Sequence, residues 1–454
     1  MPVSDLLLDA LDEKYLETFS NAVELVKKHD KVRVIAHYDG DGVSGASIVI
    51  PLLKKHNKKF HLSFIKGITE DLANMLPNDG TPILMIDIGS SALDVLSKYE
   101  NVVLLDHHPL VGKEEGIINL DPLKYGYDGT REACGTTISF LFSIFYDNTH
   151  FKYIPYFFAG TIADRQHVGG YSGINSTIVT EALDKKYVEK VISLPYLEKG
   201  LGEELTNQLD PYLVGITGRK DKVLALLKNL NIDPNKKLLE LDEEETKRLN
   251  SYIMYHLLKQ GTIPDIASDS IAPRYISTDK DFQIKNTALL SSFMNACGRE
   301  GKESLGVQYS LGKIEVLNEI VEMQKRYNAK VLEGLIALEK KEYTELSYII
   351  YFKSHYPSIA GAQAGIAVSY FTPPKKPVFG YAIDDQGKAK ISSRGTWYMV
   401  SHNLNLTEVC SVAAKSVNGH GGGHTIASGA NIDGSSIEEF MSKANEIVGK
   451  QLKF

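Results

Sequence analysis

Four short apolar runs, VRVIA (32–36), FHLSFI (60–65), ILMIDI (83–88) and NVVLLD (101–106), alternate with stretches of helical periodicity. Parallel neighbours need a long connection between them, so strands separated by helical crossovers predict a mostly parallel, doubly wound α/β sheet. In such sheets the working residues sit just past the carboxyl ends of the strands. Three of these runs end there in acids and imidazoles: His37-Tyr38-Asp39-Gly40-Asp41-Gly42, Asp87, and Asp106-His107-His108.

The rest of the chain falls into further regions. Leu6, Leu7, Leu8, Leu11, Tyr15, Leu16 and Phe19 recur at helical spacing and predict an amphipathic helix over the first 28 residues. ISFLFSIFY and YFFAGTIADR continue as helix between about 131 and 165, and 196–335 reads as a helical connector or insertion. Within it, LDEEETKRLNSYIMYHLLKQ has acids early and bases late, matching the helix macrodipole. TELSYIIYF (344–352), PVFGYAI (377–383) and KAKISS (388–393) then return to strand, with helical runs around 361–370, 405–416 and 436–451. The expected organisation is an N-terminal α/β domain over 1–195, the connector over 196–335, and a smaller C-terminal α/β domain over 336–454.

Charge and cysteine content narrow the function classes. Lys and Arg number 50 against 57 Asp and Glu, a net charge of -7, which excludes binding of nucleic acid by bulk charge and leaves room for a local basic groove. The three cysteines, Cys134, Cys297 and Cys410, are far apart, so neither a disulfide framework nor a thiolate zinc site is expected, and a reducing cytoplasm is. MPVSDLLLDALDEKY carries acids where a secretory signal needs bases, and no run of 18 apolar residues occurs, so no membrane association is expected.

Singly, each polar cluster has a plain structural reading beside a chemical one. Asp39 and Asp41, at i and i+2 of an extended segment, would project to one side and offer hard oxygen ligands to a divalent cation, or form an Asp-Gly-rich turn. Asp87 is a ligand or the cap of the following helix. His107 and His108, adjacent in a segment that Pro109 keeps extended, would point to opposite sides, one toward a metal and the other toward a substrate. Asp164, in GTIADR, is a ligand or the partner of Arg165 in an ion pair at a helix end.

Together, HYDGDG, the Asp of LMIDIGSS, LLDHHP and GTIADR resemble, in order and spacing, the DHH phosphoesterase superfamily. The resemblance implies a two-metal site for Mn2+ or Mg2+, with His37, Asp39 and Asp87 on one ion and Asp41, Asp87, His107 and Asp164 on the other. Asp87 would bridge, Asp106 would orient His107 through its ring N–H, and His108 would face the phosphate. The two ions would clamp a phosphodiester and lower the pKa of bound water.

SSRG (392–395) and NGHGGGH (418–424) resemble the DHH-associated substrate-binding domain. Three glycines make a zinc-binding helix through His420 and His424 improbable. The expected use is phosphate recognition by Arg394, a loop of Gly421, Gly422 and Gly423, and His424, the alternative being a structural glycine turn beside a surface arginine.

LDPYLVGITG (209–218) and NACGR (295–299) extend the likeness to archaeal RecJ-like exonucleases of the GINS-associated nuclease type. That implies a two-metal exonuclease releasing nucleoside monophosphates from single-stranded DNA, with RNA as the alternative substrate, in replication and repair, with the GINS complex and the replicative helicase as partners. Bacterial RecJ exonucleases carry an additional OB-fold, for which no residues remain after 454, so weak autonomous DNA binding is expected. The alternatives are a replisome scaffold, as in a eukaryotic relative that lost its metal ligands, and a phosphodiesterase for short oligonucleotides or cyclic dinucleotides.

Overall fold

Five strands, β1 (Lys31–His37), β2 (Lys59–Ile65), β3 (Ile83–Ile86), β4 (Val102–Leu105) and β5 (Ile117–Asn119), pair in parallel in the order β2-β1-β3-β4-β5. The computed structural model describes residues 5–68, 76–195 and 199–452. The chain divides into two units, Met1–Ile192 with Pro273–Gln324, and Ser193–Ala272 with Lys325–Phe454. The stretch 196–335 is thus shared between the two, with 273–324 packing into the first.

Alternation along the strands explains the layering. Val34, Ala36, Leu84, Ile86, Val103 and Leu105 face the main core, and Ile35, Met85, Val102 and Leu104 face a second cluster on the other side of the sheet. Strand order reverses between β1 and β3, so the connections leaving their carboxyl ends run in opposite directions and open a crevice at that point.

The glycines after β1 do not break the chain into a loop. They open a helix, Gly40–Lys55, in which every residue from Gly40 to Leu53 is buried. A side chain at Gly42 would place its Cβ 2.2 Å from His37 O, so glycine lets the helix start directly beneath the strand end. This helix packs on Gly135–Tyr146, Ile154–Ala163 and Thr287–Arg299.

At the N-terminus the expected single helix is two, Asp5–Asp9 and Glu13–Lys28, because the Asp12 side chain accepts from Lys14 N and starts the second. The first four residues of the chain lie outside the described ones. Among the described residues no helix is long and apolar enough to cross a membrane.

β6 (Val188–Ser193) pairs with β7 (Ala272–Ser277), and in the second unit β8 (Thr344–Glu345), β9 (Ile350–Lys353), β10 (Val378–Ile383), β11 (Lys388–Arg394), β12 (His420–Gly423) and β13 (Ala427–Asp433) form a six-stranded sheet in the order β12-β13-β11-β10-β9-β8. The Gly421 to Gly423 run, expected as a loop, is edge strand β12, antiparallel to β13. The helix Leu406–Ser416 presses against it, and a Cβ on Gly421 would lie 2.3 Å from Cys410 O. Glycine here serves close strand-to-helix packing.

Candidate metal centre

The crevice beyond β1, β3 and β4 collects the acids and imidazoles. His37 ends β1, and Asp39 caps the helix Gly40–Lys55, its Oδ1 accepting from Gly42 N at 3.3 Å. Asp41 lies in that helix's first turn, so the two carboxylates converge through a strand-to-helix turn and not through strand alternation. Asp41 Oδ2 accepts from Gly135 N at 2.8 Å, and its Oδ1 from Thr136 N and Cys134 Sγ, both at 3.0 Å. The amino end of the helix Gly135–Tyr146 is thereby closed by a buried carboxylate, with its dipole favouring the charge.

Asp87 follows β3 in the left-handed region, φ 58°, and sits at the middle of the cluster. Its Oδ2 is 3.2 Å from His37 Nδ1 and its Oδ1 is 3.3 Å from His107 Nε2. His107 Nε2 is also 3.7 Å from Asp41 Oδ2 and 3.7 Å from Asp164 Oδ2. Asp164 ends the helix Ile154–Ala163 and accepts from Gln166 Nε2 at 3.3 Å. Gln166 in turn is held by Asn175, which is held by Thr137, a buried chain of amides and hydroxyl that fixes the segment after Asp164.

Two expectations about the DHH segment are corrected. Asp106 does not direct its carboxylate to the His107 ring: Oδ1 takes His108 Nδ1 and the His107 amide, both at 2.8 Å, while His107 Nδ1 bonds Gly129 O. Nor do the two rings point to opposite sides. Their centroids are 4.5 Å apart, and His108 Nδ1 lies 3.8 Å from Asp87 Oδ1, because Asp106 draws it back toward the cluster. They differ in access: the His107 side chain is 1% exposed and that of His108 30%.

The electrostatics of the cluster suit a cation. Burial, reinforced by the charges of Asp41 and Asp39, pushes Asp87 up to about 7. Burial also lifts Asp164 to about 6, against the pull of His107 and with the push of Asp41 and Asp39. Burial disfavours charged imidazoles, yet Asp39 and Asp87 hold His37, and Asp164 and Asp87 hold His107, well above the usual histidine range. Asp106 stays below the usual carboxylate range despite burial, through His108.

His37, Asp39 and Asp87 form one compact donor group, and Asp41, His107 and Asp164 another, with ligand atoms within 4.8 Å of one another in each. Asp87 Oδ1 is buried with no hydrogen-bond partner. That oxygen sits among like charges, approached by the imidazoles of His107 and His108 at 3.3 and 3.8 Å, and hard oxygens with imidazole nitrogens so placed fit Mn2+ or Mg2+.

Two residues join the site without a role that the sequence alone assigns them. Arg299 Nη1 donates to Tyr38 Oη at 3.0 Å, its guanidinium lies 5.4 Å from the Tyr38 ring centroid, and its charge helps hold Asp39 low. It belongs to the NACGR segment, whose distance in sequence hid the contact. Gly129 contributes only a carbonyl.

In the second unit Arg394 ends β11 opposite Ala427, and the turn after β12 closes through His424 N to Ala427 O at 2.9 Å. Arg394 and His424 therefore reach the same end of that sheet, on either side of Ala427.

Residues 31–163 match the model of the DHH family N-terminal domain, and 347–450 that of the DHHA1 domain. An uncharacterized protein of Methanocaldococcus jannaschii, MJ0831, is 30% identical over 97% of this chain and 99% of its own length. The chain belongs to the DHH family. Its fold is RecJ-like: RecJ from Thermus thermophilus, solved with Mn2+, aligns with TM-score 0.58 and 16% identity over 96% of this chain, which spans 55% of that one. The same bacterial protein has been solved with Mg2+. CDC45 from Entamoeba histolytica aligns with TM-score 0.65 and 10% identity over 96% of this chain and 98% of its own.

Proposed function

We propose that this DHH-family protein is a two-metal exonuclease that hydrolyses single-stranded DNA, with RNA as the alternative substrate, to nucleoside monophosphates in the cytoplasm, in DNA replication and repair. The observation that carries this reading is the convergence of His37, Asp39, Asp41, Asp87, His107 and Asp164 around an unbonded, buried Asp87 oxygen. Two ions of Mn2+ or Mg2+, one held by His37, Asp39 and Asp87 and the other by Asp41, Asp87, His107 and Asp164, would supply Lewis-acid polarisation of the phosphodiester and a more acidic water.

The chain's own residues do the rest. Asp106 holds His108 by Nδ1 at 2.8 Å and so orients the imidazole for a phosphate oxygen. Arg394, the Gly421 to Gly423 edge and His424 hold the strand end, the arginine through a planar fork of donors. With a net charge of -7 the protein engages few phosphates by itself, so tethering by the GINS complex beside the replicative helicase delivers the strand.

The test is degradation of end-labelled single-stranded DNA and RNA with Mn2+, with Mg2+ and with chelator. Mononucleotide release that chelator stops is expected. Absence of hydrolysis with retained helicase association would establish a scaffold instead, and cleavage confined to dinucleotides a short-oligonucleotide phosphodiesterase.

A further inference from the structure

Behind the imidazole pair, two buried carboxylates share one serine. Ser90 N donates to Asp106 Oδ2 and Ser90 Oγ donates to Asp121 Oδ2, both at 2.8 Å. Ser90, Asp106 and Asp121 are each 0% exposed. Asp121 is itself anchored, its Oδ1 accepting from Leu123 N at 3.0 Å and its own amide donating to Asn119 Oδ1 at 2.9 Å.

Ser90 ends the turn that leaves β3. Asp87 takes φ 58° there and Gly89 φ 129°, so the turn holds an aspartate in a sparsely populated conformation. Such backbone persists only where surrounding contacts over-determine it. One of those contacts is Val111 N to Ser90 O at 2.8 Å, and the Ser90 to Asp121 bond is another.

We infer that Asp121 is a positioning residue: through Ser90 it holds both the Asp87 turn and the Asp106–His108 pair, setting two sides of the metal centre from outside the donor cluster. Capping the short turn Pro122–Tyr125 needs only Asp121 Oδ1. The second oxygen is committed to Ser90. Burial and the charge of Asp106 also push the Asp121 carboxyl up to about 7, so it occupies this position at an energetic cost. A buried carboxyl beside a like charge breaks the local rule for a folded interior, and such breaks are expected at functional or strained sites.

The inference rests on the metal-centre reading, and the experiment separates the two. Ser90→Ala, Asp121→Ala and Asp121→Asn are made in the full chain and compared by calorimetric Mn2+ titration without substrate, by kcat and KM on a short labelled single strand, and by thermal unfolding. Partners behind metal ligands typically contribute about 10-fold to 100-fold in affinity or activity. Ser90→Ala and Asp121→Ala should weaken Mn2+ binding by about that factor and lower kcat more than they raise KM. Asp121→Asn keeps an acceptor for Leu123 N and presents a donor to Ser90 Oγ, so it should restore most of both. A folded Ser90→Ala variant with wild-type Mn2+ affinity and kcat overturns the inference, even where Asp121→Ala fails to fold. Loss in Asp121→Asn equal to that in Asp121→Ala overturns it as well. Wild-type protein that neither binds Mn2+ nor hydrolyses the strand would instead overturn the metal-centre reading.

Discussion

Asp41 Oδ2 accepts the amide hydrogen of Gly135 at 2.8 Å, tying the first turn of one buried helix to the amino end of another. The same carboxylate faces His107 Nε2 at 3.7 Å, so one residue serves the packing of the two helices and the metal centre together.

Replacing Asp41 should therefore damage both. Asp41→Ala leaves the amides of Gly135 and Thr136 without their acceptor in a dry interior, at about 1–3 kcal/mol for an unsatisfied group. Urea unfolding should show that loss together with abolished hydrolysis, and unchanged stability would contradict the shared role.

Asp87 should behave oppositely. Asparagine tolerates the left-handed backbone at φ 58° and removes a buried like charge. Asp87→Asn should therefore raise the melting temperature of metal-free protein at pH 8, remove the gain in melting temperature that Mn2+ gives, and lower hydrolysis by about two orders of magnitude or more. A variant melting below wild type without metal would refute the account of the cluster.

The pH dependence follows from the same groups. Folding raises Asp87 to about 7 and Asp164 to about 6, above their ordinary 3.8. At these two carboxyls the native state thus binds more protons than the unfolded state from about pH 4 to pH 7, and their contribution to stability falls as pH rises through that window, opposed up to about pH 6.5 by His150 and His167, which burial holds at about 4 and about 3. His37 and His107, raised above 6.5, add to the fall at higher pH, since their contribution is full below 6.5 and is lost on deprotonation. Metal-free protein should melt lower at pH 8 than at pH 5.5. Cation binding displaces those protons, so apparent Mn2+ affinity should rise between pH 6 and pH 8, by roughly tenfold per pH unit for each proton released. Calorimetry in buffers of different ionisation enthalpy counts the protons, and none released would count against this assignment.

In the second unit, Arg394→Ala and His424→Ala should each reduce kcat/KM by roughly tenfold to a hundredfold, the ~1.5–3 kcal/mol of a charge-assisted hydrogen bond, with Mn2+ affinity unchanged. Unaltered kcat/KM in both would mark the GGGH segment as structural. Gly421→Val should instead destabilise the unit, because its Cβ would meet Cys410 O at 2.3 Å. Thermal unfolding of that variant separates packing from recognition.

The sequence by itself determined the parallel sheet and the acids and imidazoles of its crevice, because strand periodicity is local and the residues of HYDGDG, LMIDIGSS, LLDHHP and GTIADR stand at element ends. It also marked SSRG and GGGH, though not that the glycines form a strand, since their small size answers to a helix packed against them from elsewhere in the chain. Only the tertiary structure decided which partner each polar atom takes. Asp106 bonds His108 while His107 turns to Gly129 O, Arg299 reaches Tyr38 from 261 residues away, and Ser90 joins Asp106 to Asp121. Hydrogen bonds are satisfied at about 3 Å in space, and the folds that bring those atoms together leave no periodic trace along the chain.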